Sequence, residues 1–297
     1  MAYRLQQSAW CVAGVAALLA VSLAPAAGQA PGPPQLDSST LDRVTRYVED
    51  YYTRAQSLMV EETVTLHHLR TDLSPDGLPR RLVYELRVDW APATATEEAH
   101  ATVVRHLIRV GNRAPRENEK PECLDPRSVS PEPLEFLLRE KRSKFRFRAM
   151  GRARIDGRNA LLLDYLPSAE GTPEVSGDKT CLQMELPGRS RGRVWVDSVN
   201  DAILRVDEFL VGPTDVRIPR ALQTGSGWGL FVTVDRSDTT TRYQPVAFDD
   251  PPEQLMLPMR IESVSVIRAN GIQRLRMTQE FRNYRRFLTA SRILPPQ

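Results

Sequence analysis

The chain has 297 residues, 40 of them basic and 37 acidic, for a formal charge of +3, and 41% are apolar. This near-balance gives no long-range field that would predict nucleic-acid binding. Only four of the basic residues are lysine, a bias from which no function is drawn.

Met1 to Gln7 carry one positive charge and no acid, and Ala9 to Ala24 form an apolar run of about 16 residues. That run is shorter than the roughly 20 residues a spanning helix needs, and it ends in small residues and proline, Ala24-Pro-Ala-Ala-Gly-Gln-Ala30. The pattern predicts a signal peptide over 1–28, cleaved between Ala26 and Ala30, and hence an exported periplasmic or secreted protein. Cys11 lies inside the apolar run, not after it, which argues against lipidation. No second apolar segment of membrane length follows, so any membrane contact would be peripheral. Residues 29–37 read as a Pro/Gly linker, 38–290 as a single domain and 291–297 as a tail.

Ser39-Thr-Leu-Asp42 has the form of a capping box, and Leu41, Val44, Tyr47, Val48, Tyr51, Tyr52 and Ala55 then recur at helical spacing. An amphipathic helix with an aromatic-rich face follows from that spacing. From Met59 the period becomes two. Arg80 to Trp90 places Leu82, Tyr84, Leu86, Val88 and Trp90 on one face, opposite Arg81, Val83, Glu85, Arg87 and Asp89, a strand with one wet side. A short helix is expected over Pro131–Lys141, capped by Ser130. Phe145 and Phe147 alternate with Lys144, Arg146 and Arg148, and Asp156-Gly157 offers a two-residue hairpin turn into Asn159–Leu166.

Further strands are expected at Gly192–Asp197, at Ile203–Val211 and from Leu230 toward Tyr243. Leu257–Ala269 and Ile272–Phe287 form a hairpin about Asn270-Gly271, the strongest short-range turn signal of the chain. Ser168–Ser190 and Gly212–Trp228 read as long loops. The fold class is therefore α+β, mainly antiparallel β. Its apolar sheet face has too few helices to cover it, which implies a cavity or a partner.

Chemistry-bearing residues do not converge in the sequence. His67 and His68 are adjacent in a strand and point to opposite faces, as do Glu61 and Glu62. Gly225-Ser-Gly-Trp-Gly229 lacks the spacing of a nucleophile elbow, and no phosphate loop or HExxH is present, so neither cofactor, metal site nor catalytic residue is predicted. Arg139–Arg158, with Phe145 and Phe147 interleaved, is the best nucleic-acid candidate, but strict alternation sends its charges and aromatics to opposite faces. No nucleic-acid partner is expected. Cys123 and Cys181 are the two cysteines beyond the signal, and an even count in an oxidising compartment reads as one disulfide, with two free thiols as the alternative.

Gly192-Arg-Val-Trp-Val-Asp197, Ala202-Ile-Leu-Arg-Val-Asp207 and Arg282-Asn-Tyr-Arg-Arg-Phe287 resemble the "GxxWID…G…R" hairpin and the terminal "NxRxF" strand of the LolA/LolB-like superfamily of periplasmic lipoprotein carriers. The order of segments, including Val104–Arg113, is similar to that of exported bacterial proteins of this architecture. The resemblance implies a curved half-barrel sheet, with the N-terminal helix and the short helix near 131–141 packed on its concave face. It also implies a non-catalytic periplasmic protein that takes a lipid, a lipoprotein acyl chain or another hydrophobic ligand there. The alternative is an envelope interaction or sensor protein using the half-barrel as scaffold. The candidate cavity wall is Leu82, Tyr84, Leu86, Trp90, Val194, Val196, Leu275, Met277 and Phe281, each of which can equally be core. Oligomeric state is left open.

Overall fold

The computed structural model describes residues 37–286, apart from 56, 92–99, 118, 120–121, 127–133, 179–180 and 224–228. The signal peptide, nearly all of the linker and the tail expected from the sequence lie outside the described residues, as do the side chains of 89–91 and 100–102.

In chain order the elements are α1 (Ser38–Arg54), β1 (Leu58–Leu69), β2 (Pro75–Ala91), β3 (His100–Val110), a 3-10 turn (Glu135–Leu137) and α2 (Arg139–Arg142). There follow β4 (Phe145–Ile155), β5 (Arg158–Pro167), β6 (Glu174–Gly177), β7 (Leu182–Glu185), β8 (Ser190–Asp197), β9 (Ile203–Leu210) and β10 (Thr214–Arg217). The chain closes with α3 (Arg220–Gln223), β11 (Phe231–Asp249), β12 (Pro252–Arg268) and β13 (Ile272–Arg286).

One open antiparallel sheet of 11 strands runs β3-β2-β1-β13-β12-β11-β9-β8-β5-β4, with β10 attached to β11, and β6–β7 stand apart as a hairpin. The strands are joined mostly by short turns. At Asp156-Gly157 both residues take positive φ (49° and 79°), the mirror-image turn that matches strand twist, so the sequence signal is realised there. Register shifts put extra residues in β13 opposite Met59/Glu61, in β2 opposite Leu66/His68, in β11 at Val234/Arg236 and in β12 opposite Arg242/Tyr243, and such bulges bend the long strands and curve the sheet.

The inner face follows the period-two pattern. In β1, Leu58, Val60, Val64 and Leu66 are buried at every second position. Helix α1 lies across one end of this face. Its Val44, Val48, Tyr51 and Tyr52 pack with Val194, Val196, Ile203, Val206, Leu255 and Leu257, together with Leu134 and Leu137 from the 3-10 turn. Each fully buried aliphatic side chain contributes about 1.5–3 kcal/mol, so this cluster is the principal core.

Four expectations are corrected. The helix starts one turn-half earlier than the capping box suggests: Asp37 is the N-cap, accepting from the Ser39 backbone N–H at 3.2 Å and from the Ser39 hydroxyl. Asp and Ser are comparable N-caps, and here the Asp37 carboxylate takes both the Ser39 N–H and the Ser39 hydroxyl, which leaves the serine inside the first turn. The 131–141 helix is broken, because Leu138 is extended (φ −64°, ψ 148°) and separates the 3-10 turn from α2. That break lets Leu137 and Leu138 both be buried while α2 buries nothing. The two long loops contain β6, β7, β10 and α3, four residues each, too short for a period to be read from sequence. Finally, β12 and β13 pair from Arg268↔Ile272 around a three-residue loop, Ala269 to Gly271, with no positive φ at Asn270 or Gly271.

Candidate functional site: the inner face and its open end

The predicted wall residues share the inner face but fall in three separate groups. Val194 and Val196 lie in the principal core under α1. Leu86 and Phe281 join Val60, Val88 and Val103 in a second cluster. Leu82, Tyr84 and Leu275, with Met277 half-buried beside them, pack with Val64 and Leu66 in a third. The side chain of Trp90 lies outside the described residues.

Between the second and third clusters sits a polar lock that the sequence did not single out. Glu62, in register with Phe281 of β13 and Tyr84 of β2, is fully buried. Arg105 of β3 donates to it from Nε at 2.7 Å and from a terminal nitrogen at 3.3 Å, and the Gln279 amide donates at 2.6 Å. A charge in this position is tolerable because the Arg105 side chain, 6% exposed, is buried with it and aimed at it. Its one sequence signal is the carboxylate at an inward position of an otherwise apolar alternation.

On the α1 side of this lock, Tyr51, Leu58, Leu86, Leu257, Phe281 and Tyr284 line a slit of about 30 Å³, room for about one water. Tyr284 closes its edge by donating to the Pro258 carbonyl at 2.6 Å. This part of the inner face is filled by protein.

On the other side the face opens. A groove of about 600 Å³ lies at the end of the sheet where β1 and β12 finish and β13 starts. Its apolar lining comes from Leu69, Val232, Ile267 and Ile272 on the sheet, Leu124 on the loop after β3, and Leu182 and Met184 on the β6–β7 hairpin. His68, Asp76, Asn270, Gln273 and Arg274 supply polar groups at its margin. Leu124 also packs against the third cluster, but none of Leu82, Tyr84, Leu275 and Met277, nor any other predicted wall residue, is among the residues that line the groove.

The groove's cover is tied down twice. Cys123 and Cys181 are disulfide-bonded, with Cα atoms 5.3 Å apart, joining the loop after β3 to the start of β7. The expected pairing is thus the one formed. Asp125, 5% exposed, receives two hydrogen bonds from Arg80 at 2.9 Å each and one from the Glu122 backbone N–H, which fixes the same loop on β2. Burial, with Asp125 and Glu62 nearby, pushes the Tyr84 phenol up to about 12, so it stays neutral. Leu182 and Met184 were missed because they belong to a four-residue strand; the signal is the alternation Leu182-Gln183-Met184 directly after Cys181.

The residues that carry the sequence resemblance have structural work elsewhere. Asp197 organises the β8–β9 turn, accepting from Val199 N–H at 2.9 Å and from Arg158 at 3.2 Å. Trp195 points to the outer face, where the Arg205 guanidinium stacks 4.7 Å from its ring centroid and pairs with Asp207. Gly192 lets the Tyr165 ring lie against β8, because a Cβ would overlap that ring and the Asp207 carbonyl. In β4, Phe145 and Phe147 pack toward the core while Arg146 and Arg148 are exposed, so charges and aromatics are on opposite faces. Among the described residues no cluster of His, Cys, Asp and Glu could hold a metal ion, and no helix is long and apolar enough to cross a membrane.

No family model matches the chain, and no curated protein matches it. Among solved structures it is similar to a LolA superfamily protein from Nitrosomonas europaea, with 11% identity, 86% of this chain and 97% of that chain covered, and a TM-score of 0.37. It is also similar to a DUF1329 family protein from Desulfovibrio piger, at 12% identity, 85% and 94% coverage and a TM-score of 0.35. A third is a putative outer membrane lipoprotein-sorting protein domain from Vibrio parahaemolyticus, at 11% identity, 85% and 95% coverage and a TM-score of 0.34.

Proposed function

We propose that this is a non-catalytic exported protein that holds an apolar molecule, a lipid or a lipoprotein acyl chain, in the groove between the open end of the sheet and the β6–β7 hairpin. The observation that carries the reading is the groove itself. Its volume of about 600 Å³ falls in the range of small-molecule sites, its walls are aliphatic side chains from separate elements, and a few polar groups stand at its margin. The disulfide and the Arg80–Asp125 pair hold its cover in place, so part of the ordering cost of binding is met in advance. Native mass spectrometry of the protein purified from the periplasm of an expressing bacterium tests this. Added masses that match lipids and vanish on organic extraction support it; a clean mass, unchanged after incubation with envelope lipids, rejects it.

One observation favours a second reading, a protein-contact surface. Leu78, Leu230, Phe231 and Ile272, between 52% and 95% exposed, all stand at this end of the sheet. In that case the same apolar end meets another envelope protein, the half-barrel is scaffold, and the groove receives one of the partner's side chains.

A further inference from the structure

A second cavity lies away from the groove, beside the sheet edge at β4 and β5, and has a different chemistry. Its volume is about 550 Å³. Phe136 and Phe145 line it, their rings 5.8 Å apart and edge-on, and Tyr165 stacks behind Phe136 at 4.1 Å. That buried stacking fixes the aromatic surface before any ligand arrives. The opposite wall is the pair of loops that carry Ala169 to Gly171 and Pro187-Gly188. Gly171 donates its N–H to the Pro187 carbonyl at 2.9 Å, and a Cβ on Gly171 would come within 2.8 Å of the Pro187 ring. The Ser168 N–H binds the Lys144 carbonyl at 2.8 Å, tying this wall to the start of β4. The pocket is therefore preformed.

Four ionised side chains surround it, and their balance is uneven. Glu135 is held by Lys141 at 3.4 Å, and Glu170 by Arg189 at 3.1 Å. Lys144, exposed at the rim, has no carboxylate partner among the described residues. Of the four lysines in the chain, two stand at this one pocket. An aromatic floor, Pro and Gly walls and one surplus ammonium at the rim match a flat apolar body bearing one negative charge.

We propose that this pocket binds an aromatic carboxylate, with the ring system on Phe136 and Phe145 and the carboxylate on the Lys144 ammonium. The site is separate from the groove and does not depend on what the groove holds.

The test is isothermal titration with 2-naphthoate and with the neutral 2-naphthalenemethanol, together with amide chemical-shift mapping to locate the bound ring. The proposal expects shifts at residues 141–145 and 168–171, and naphthoate at least about tenfold tighter than the alcohol, as a charge-assisted contact gives. Lys144→Ala, at an exposed position, should bring the two affinities together, and Lys144→Arg should keep most of the difference. Equal affinities for acid and alcohol in the unmodified protein would overturn it, as would shifts confined to the groove or no binding at millimolar ligand.

Discussion

Removing Arg105 leaves the Glu62 carboxylate buried with, among the described residues, the Gln279 amide for compensation. The carboxylate is fully buried, the Arg105 side chain is 6% exposed, and two charge-assisted hydrogen bonds join them. Breaking a buried pair from one side typically costs about 3–5 kcal/mol, whereas replacing both partners with apolar residues of similar volume is often neutral or stabilising. Arg105→Ala should therefore consume a large part of the roughly 5–15 kcal/mol that a domain has in total. Glu62→Met with Arg105→Met should recover most of that loss, since the site lies between two apolar clusters that can absorb the methionines. Urea unfolding followed by tryptophan fluorescence at pH 7, disulfide intact, measures both. A loss below about 1 kcal/mol for Arg105→Ala, or a double variant no better than the single one, would refute the reasoning.

Three further outcomes follow from other contacts. Gly192→Ala forces a Cβ into the Tyr165 ring and the Asp207 carbonyl and should cost about 1–3 kcal/mol in the same urea assay, as overpacking does. Reducing Cys123–Cys181 reopens a loop with a sequence separation of 58, worth about 4 kcal/mol in the chain-entropy model, and should lower the urea midpoint accordingly. Burial holds the Tyr47 and Tyr84 phenols at about 12, above their unfolded value, so their contribution is complete below about pH 10 and is lost as pH rises toward 12. Thermal midpoints should fall over that window, and Tyr84→Phe should fall less steeply.

The long elements were legible because their side chains alternate for many residues. Asn159–Leu166, Gly192–Asp197 and Ile203–Val211 all appear as strands within two residues of the expected bounds, Arg80–Trp90 lies inside a strand that begins five residues earlier at Pro75, and the face of α1 is the one that helical spacing marks. The candidate site was legible only as a face. Alternation says that Leu82, Val194 and Phe281 point inward; it does not say that a helix covers Val194, that Glu62 and Arg105 interrupt the apolar surface, or that Leu82 lies toward the open end. Those facts depend on strand order and on which short segments fold over the sheet. The groove's cover comes from a four-residue strand and a disulfide-tied loop, which carry no period. Asn270-Gly271 shows the converse limit, since its composition marks a turn while the register around it makes a different loop.

The measurement that most directly tests the groove as the apolar site uses N-phenyl-1-naphthylamine, an uncharged probe that brightens in apolar surroundings. Met184→Glu places a carboxylate in the groove on a half-buried hairpin position, while Lys144→Ala alters only the separate aromatic pocket. The groove reading predicts saturable binding by the unmodified protein, loss of at least about tenfold in affinity in Met184→Glu, and no change in Lys144→Ala. Equal binding by the unmodified protein and Met184→Glu, with circular dichroism showing both folded, would contradict it.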